Sequence, residues 1–132
     1  MAKVRDSSKT FINPAGIVEQ HYIGQQTPES ILMALRDLEG CIKEAAKFKK
    51  PVLILADVSL VPKIDLSKRM LEVRKAGIKT MGSVKFRRAA VYGPLKVQVL
   101  VNTMALISGK QDKLKVFGNR VKAIAWLKEG IS

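Results

Sequence analysis

The strongest constraint on the fold is an uninterrupted apolar run at residues 52–56, which leads into an acidic turn and a helix start. The run reads Val-Leu-Ile-Leu-Ala, and such a run is typical of a central strand that is covered on both faces. Asp57 ends it, and Asp65, Leu66 and Ser67 open the helix that follows. A buried strand that continues into a helix predicts an α/β fold. The loop between them brings a hydroxyl group to a helix N-terminus, where unpaired backbone N–H groups favour an anion.

Strands and helices alternate along the rest of the chain. Residues 10–23 predict two short strands joined by a turn at residues 13–16, and Thr27 followed by Pro28 predicts a helix that continues to about residue 49. The later patterns predict a helix over 66–76 capped by Gly77, a hinge over 78–84, a strand over 86–92, a helix over 94–109, a strand over 113–117 and a helix over 120–128. We therefore expect a mixed, mostly parallel central sheet of about five strands with about four helices.

Composition assigns the chain to the globular class. Its 132 residues fit one domain, expected over residues 10–132, with a disordered tail over residues 1–9. Apolar residues make up 47% and charged residues 27%, which is typical of a folded protein. The single cysteine, Cys41, excludes an internal disulfide and is expected in the core. The start of the chain has no signal-peptide pattern, and no apolar stretch approaches the roughly 20 residues that span a bilayer. A cytoplasmic protein is expected.

A net charge of +13 favours encounter with polyanions, anionic lipid or an acidic protein surface, but it carries no specificity. Much of the charge lies in residues 63–88, which we interpret as a solvated face, with an anionic membrane surface as the alternative. Nucleic acid is not an expected partner, because the sequence has no zinc pattern, no helix-turn-helix spacing and no aromatic platform.

The sequence contains no recognisable catalytic apparatus. Its one histidine, His21, falls in a predicted strand without a paired nucleophile and is expected to be half-buried. There is no phosphate-binding loop and no metal-ligand cluster. Asp57 and Asp65 lie near one predicted loop, where we interpret them as capping and loop residues. We therefore expect no enzyme, no cofactor and no metal.

The predicted third helix is apolar on nearly every side. Its central residues are Val97, Leu100, Val101 and Met104. A helix of this kind is buried or covered by something. A second copy of the chain is the first expectation, which would make the protein a homodimer, and an apolar ligand or a membrane surface is the alternative.

Two segments resemble a known family. Residues 53–59, followed by residues 64–67, resemble the apolar strand, terminal Asp, loop and Asp-Ser-Ser-Gly helix start of STAS domains. Residues 115–117, followed by residues 121–127 with Trp126, resemble the closing strand and helix of the SpoIIAA-like, anti-sigma-factor-antagonist-like branch. The resemblance covers residues 16–129 and implies the same α/β fold.

The resemblance also implies a function. In regulatory members of the family, a partner kinase phosphorylates the second Ser of the motif, which is Ser67 by position. The motif differs here, because Leu66 replaces the first Ser and Lys68 replaces the Gly. The implied switch loop comprises Asp57, Ser59, Asp65 and Ser67, with Lys63, Lys68 and Arg69 as candidate contacts for an anion. The structural alternative is that Asp65 or Ser67 simply caps the helix.

Two functions therefore remain open from the sequence. The first is a non-catalytic regulatory domain that acts through an unidentified protein partner and is switched at the loop before the second helix. The alternative is a carrier or membrane-surface protein that binds an apolar or anionic lipid-like ligand. The alternative is based on the fold, since SpoIIAA-like proteins resemble small lipid-carrier domains.

Overall fold

The computed structural model describes residues 3–63, 65–109 and 112–129, with the side chains of residue 3 and of residues 103–108 outside that description. Its strands are β1 (Lys3–Val4), β2 (Ser8–Ile12), β3 (Val18–Ile23), β4 (Leu53–Leu60), β5 (Arg88–Tyr92) and β6 (Leu114–Phe117). Its helices are α1 (Pro28–Ala46), α2 (Lys68–Ser83), α3 (Leu95–Ser108) and α4 (Arg120–Glu129). The elements follow one another in the predicted order.

The strands form one mixed sheet in the order β1-β2-β3-β4-β5-β6. The pairs β1–β2 and β2–β3 are antiparallel, and the three pairs from β3 to β6 are parallel. The apolar run lies in β4, where Ile54 pairs with Val18 on one side and Ala89 on the other. The predicted mostly parallel sheet of five strands with four helices is confirmed, and the two-residue β1 extends it at one edge.

The helices cover the two faces of the sheet unequally. Helices α1, α2 and α3 each join two parallel neighbours in the same direction across the sheet, so they lie on one face, which we call the three-helix face. Its core combines Leu38, Cys41, Ile42 and Ala45 of α1 with Val18, Ile54 and Ala89 of the sheet. Helix α4 lies alone on the opposite face, the α4 face, where Ala123, Trp126 and Leu127 pack on Leu53, Leu55 and Ala90.

Helix α2 is longer than predicted. It runs through Gly77 to Ser83, so Gly77 is not a C-terminal cap and residues 78–83 belong to the helix and form no hinge. Gly77 lacks the positive φ that a left-handed cap requires. It stands where α2 passes α1, and a Cβ atom there would lie 3.5 Å from the methyl groups of Leu35. Gly77 is therefore a helix-interior residue at the contact between α1 and α2.

Residues 3–9 differ from the predicted disordered tail. Val4 pairs with Lys9, and Ser8 is fully buried at the start of β2. Arg5 donates two hydrogen bonds to Asp37 of α1, from Nε to Oδ2 at 2.7 Å and from Nη2 to Oδ1 at 3.1 Å. Strand pairing with β2 and the ion pair with the buried carboxylate of Asp37 hold this segment in place. The segment has no apolar periodicity from which the strand could be predicted.

We predict that Gly93→Ala destabilises the fold, because the backbone just after β5 lies close to Val58 of β4 at this residue. A Cβ atom at Gly93 would lie 2.6 Å from Cγ2 and 3.2 Å from the backbone carbonyl carbon of Val58. Overpacking of this kind costs about 1–3 kcal/mol, which urea unfolding would measure. The matched control is Gly40→Ala in α1, where nothing lies within 4 Å. That change should stabilise the helix by about 0.5–1 kcal/mol, and equal effects at the two sites would contradict the close approach.

Candidate functional site

An apolar cavity lies between the three-helix face of the sheet and helices α1, α2 and α3. One part has a volume of about 210 Å³ and lies toward the start of α2. The other part has a volume of about 220 Å³ and lies deeper over β4 and β5. The two parts share the lining residues Tyr22, Leu35, Val58, Gly77 and Val101. The two parts therefore adjoin each other, and together they extend from the start of α2 to the centre of the sheet.

The third helix contributes its predicted residues to this cavity. Val97, Leu100 and Val101 line the first part, and Val101 also lines the second. Met104 was predicted with them, but its side chain lies outside the described residues. Val97, Leu100 and Val101 therefore line the cavity, whereas the exposed apolar residues of α3 are Leu95, at 73%, and Val99, at 59%. The homodimer stays a prediction.

Polar groups gather at the end of the cavity near α2. Arg74 of α2 lines this end, and its Nη1 is withdrawn from solvent with no hydrogen-bond partner among the described residues. Burial lowers the pKa of Arg74, and the charge of Asp65 opposes that shift. Tyr22 donates its hydroxyl to Oε1 of Gln20 at 2.6 Å, and burial raises its pKa. The cavity is therefore mostly apolar, and the end near α2 holds a cation whose Nη1 has no hydrogen-bond partner among the described residues.

The predicted phosphoacceptor, Ser67, is the N-cap of α2. Its Oγ accepts a hydrogen bond from the backbone N–H of Met70 at 3.3 Å, and its own N–H donates to Oδ1 of Asp65 at 2.8 Å. The backbone hydrogen bond from Ser67 lowers the pKa of Asp65. Both side chains thus have the capping geometry that the sequence offered as the structural alternative. Ser67 is also exposed, so its phosphorylation stays a prediction.

The predicted anion contacts near Ser67 have separate positions. Lys63 is exposed and lines the polar end of the cavity, and Lys68 is exposed in the first turn of α2. Arg69 forms an ion pair with Glu29 of α1. An anion on Ser67 would therefore compete with Glu29 for Arg69.

Asp57 and Ser59 do not belong to the loop in which they were predicted. Strand β4 continues past Ala56 to Leu60, because Asp57 still pairs with His21 on one side and Tyr92 on the other. Alternation along the strand turns Asp57 to the α4 face, whereas Asp65 lines the cavity on the three-helix face. The predicted switch loop is therefore divided between the two faces of the sheet.

Asp57 belongs to a network of charged side chains on the α4 face. Glu19 accepts two hydrogen bonds from Arg120, at 2.6 and 2.9 Å, and one from Nδ2 of Asn13 at 2.7 Å. His21 lies between the carboxylates, with Nε2 2.9 Å from Oε1 of Glu19 and Nδ1 3.0 Å from Oδ2 of Asp57. Because a carboxylate only accepts, both contacts are hydrogen bonds at once only when both ring nitrogens carry a proton.

The network keeps its carboxylates ionised. Burial alone would raise the pKa of Glu19, but the hydrogen bonds from Arg120, Asn13 and His21 outweigh it and lower the pKa to about 2. Burial likewise opposes the charge on Asp57, yet its hydrogen bonds from Ser59, with smaller contributions from others, hold its pKa below the ordinary value. The hydrogen bond to Glu19 raises the pKa of Arg120. Hydrogen bonds thus join Glu19, Asp57 and Arg120, through His21, into one network on the α4 face.

Sequence reasoning missed most of this network. His21 lies in a strand and is partly buried, as predicted, but its two carboxylate contacts were not anticipated. One signal was available, since Glu19 and His21 are two residues apart on a strand and must share a face. Arg120 gave no signal, because 101 positions separate it from Glu19. Arg74 was treated only as one charge on a solvated helix.

Three further observations concern metal ligands, membrane-spanning helices and the single cysteine. They contain no group of three or more His, Cys, Asp or Glu side chains that could hold a metal ion. Within the same ranges, no helix is both long and apolar enough to cross a membrane. Cys41 is buried in the core, as predicted.

Comparison with known proteins identifies the fold. No protein-family model matches the chain, and no curated protein is similar to it. Among solved structures, the chain is similar to the crystal structure of an uncharacterized protein of the DUF3478 family, with a SpoIIAA-like fold, from Shewanella loihica PV-4. The two share 19% sequence identity and a TM-score of 0.65, over 96% of this chain and 98% of the other. The predicted SpoIIAA-like fold is therefore confirmed.

We predict that Glu19→Gln removes a pH-dependent contribution to stability. The pKa of Glu19 is about 2 in the fold, against an ordinary value of 4.5. The charged form therefore stabilises the fold above pH 4.5, and this contribution is lost as the pH falls from 4.5 toward 2. At pH 7 the variant should be less stable by about 1–3 kcal/mol in urea unfolding, and the difference should shrink by pH 3.

The matched control for this measurement is Glu39→Gln. Glu39 forms an exposed pair with Lys43 one turn away on α1, which is worth at most about 0.5 kcal/mol. If Glu19→Gln and Glu39→Gln changed the free energy of unfolding equally at both pH values, the network on the α4 face would not contribute to stability as predicted.

Proposed function

We propose that the protein is a non-catalytic SpoIIAA-like domain that binds an apolar ligand between its sheet and helices α1, α2 and α3. The observation that carries the proposal is the pair of adjoining, mostly apolar spaces on the three-helix face, which together we call the cavity. Its two parts have volumes of about 210 and 220 Å³, and a mostly apolar lining with a few polar groups is typical of small-molecule sites. A role as a carrier or a ligand sensor follows from such a site.

The energetics of packing support an occupant. Apolar contact stabilises a complex in rough proportion to the apolar area that it removes from water. The lining here is mainly apolar, with side chains such as Leu35, Val58 and Val101, and its polar groups gather at the end near α2. A ligand that contacts these apolar side chains would stabilise the folded state.

The cavity has a route to the surface. Gln25 and Lys63, which line its first part, are exposed. The loop before α2 therefore borders an opening through which a ligand could enter. Lys63 and Asp65, which the sequence singled out in the loop before α2, would then lie at the rim of the site.

The second candidate is a regulatory domain that is switched at Ser67 and acts through a protein partner. The observation in its favour is that Ser67 is exposed at the N-terminus of α2, where the helix dipole favours a phosphate. Against it, Arg69 is already paired with Glu29, and Lys68 occupies the glycine position of the family's motif. We therefore rank it below the ligand-binding function.

We predict that Val101→Phe weakens the binding of N-phenyl-1-naphthylamine, a neutral apolar fluorophore. Val101 lines both parts of the cavity, so a larger side chain there would occupy the space that the probe needs. A loss of about 1.4 kcal/mol of contact weakens binding roughly tenfold, which fluorescence titration would detect. Leu95→Phe is the matched control, because Leu95 lies on the exposed side of the same helix. The proposal fails if the wild-type protein does not bind the probe, or if both variants bind it as the wild type does.

We predict that Ser67→Ala lowers stability by about 1 kcal/mol, because it removes the N-cap of α2. Ser67→Asp should be close to the wild type, since Asp is also a good cap and its charge suits the helix dipole. Urea unfolding of the three proteins checks this expectation.

For the regulatory candidate, intact mass measurement of protein from its own host should find a phosphate on Ser67, and equal partner binding by Ser67→Asp and wild-type protein would contradict the switch.

A further inference from the structure

The unsatisfied guanidinium of Arg74 is the one polar feature of the cavity that its described surroundings do not explain. Arg74 lies in the middle of α2, and its side chain borders the first part of the cavity at intermediate exposure. Its Nη1 is withdrawn from solvent and has no hydrogen-bond partner among the described residues. Buried donors in native proteins nearly always have a partner, and a charged donor without one is costly.

The neighbouring polar groups do not meet this need. Asp65, whose charge attracts Arg74, accepts the backbone N–H of Ser67 and makes no hydrogen bond to the guanidinium among the described contacts. Tyr22 directs its hydroxyl to Gln20, and the Gln26 amide donates to backbone carbonyl groups, at 3.0 Å in the case of Ser7. The polar end of the cavity therefore holds a cation that is short of an acceptor.

The charges at this end also favour an anion. Lys63 and Arg74 contribute two positive charges, against one negative charge from Asp65. The remaining polar residues of this lining, Tyr22, Gln25 and Gln26, are neutral amide or phenol groups. In the second part of the cavity the lining is apolar apart from Tyr22 and Gln20, and the Gln20 amide is already hydrogen-bonded to Thr10, Ala34 and Tyr22. A ligand that satisfies both regions has an anionic head and an apolar tail.

We infer that the ligand is a long-chain carboxylate whose head group pairs with Arg74 and whose acyl chain fills the apolar cavity. This inference rests on the proposed function and names the class of ligand. A planar carboxylate matches the planar guanidinium and accepts two parallel hydrogen bonds from it. The long side chain of Arg74 can turn its unpaired edge to a head group that enters past Lys63. An uncharged ligand would leave Arg74 unpaired, and a cationic one would be repelled.

The test compares dodecanoate with dodecanol, which share a chain length and differ in the charge of the head group. Isothermal titration of the full chain with each probe measures both affinities. Wild-type protein should bind dodecanoate about tenfold or more tightly than dodecanol, as expected for charge-assisted hydrogen bonds. Arg74→Met should remove that preference while keeping the binding of dodecanol, because Met preserves much of the apolar stem. Arg69→Met is the matched control, since Arg69 is an exposed cation on the same helix and outside the cavity lining, and it should keep the preference.

Each outcome has a distinct meaning. Equal affinity of the wild-type protein for the two probes overturns the inference and leaves the proposed function standing. Failure to bind either probe contradicts the proposed function itself. A preference that survives in Arg74→Met, with circular dichroism confirming that the variant is folded, overturns the role of Arg74. A preference lost equally in Arg69→Met and Arg74→Met overturns it too, because general surface charge would then explain the selectivity.

Discussion

The parallel pairing of β4 on both of its edges is the constraint on which the rest of the structure depends. Ile54 pairs with Val18 of β3 and with Ala89 of β5, so the backbone of the apolar run is satisfied inside the sheet. Parallel neighbours cannot be joined by a tight turn and need a crossover, which here is a helix. Because every crossover steps in the same direction across the sheet, right-handedness places α1, α2 and α3 on one face. Only α4, which follows the last strand, can cover the other.

This unequal coverage explains why the two faces differ in chemistry. Three helices meet over β4 without filling the space beneath them, and the apolar cavity is what remains. On the other face a single ten-residue helix reaches only part of the sheet. The side chains beside it are charged and satisfy one another, and Arg120, at the first position of α4, binds Glu19 of β3. This ion pair connects α4 to β3, which is separated from β5 by β4 in the sheet.

Local signals in the sequence were sufficient for the order of elements and the fold. Each of these elements is recognisable from a short stretch of sequence, and the structure contains all of them: the apolar run of β4, the capping residues Thr27 and Ser67, and the closing helix with Trp126. The features that were missed depend on distant partners. Helix α2 continues through Gly77, where it passes Leu35 of α1, and Arg5 of the N-terminal segment pairs with Asp37. The cavity forms between three helices and the sheet, and Nη1 of Arg74 is withdrawn from solvent only in that arrangement. No short stretch of sequence can therefore predict either feature.

Helix α2 connects the two functional hypotheses that the sequence left open. Ser67 caps its first turn, and Met70 and Arg74, one and two turns later, line the cavity. A phosphate on Ser67 would add negative charge at the rim and compete for the cations that would attract an anionic head group. A bound carboxylate would in turn hold α2 against the sheet and fix the position of Ser67. By linkage, each event changes the free energy of the other by the same amount. Regulation at the helix start and ligand binding beneath the helix are therefore compatible functions of one element, with Arg74 as the residue through which they would be coupled.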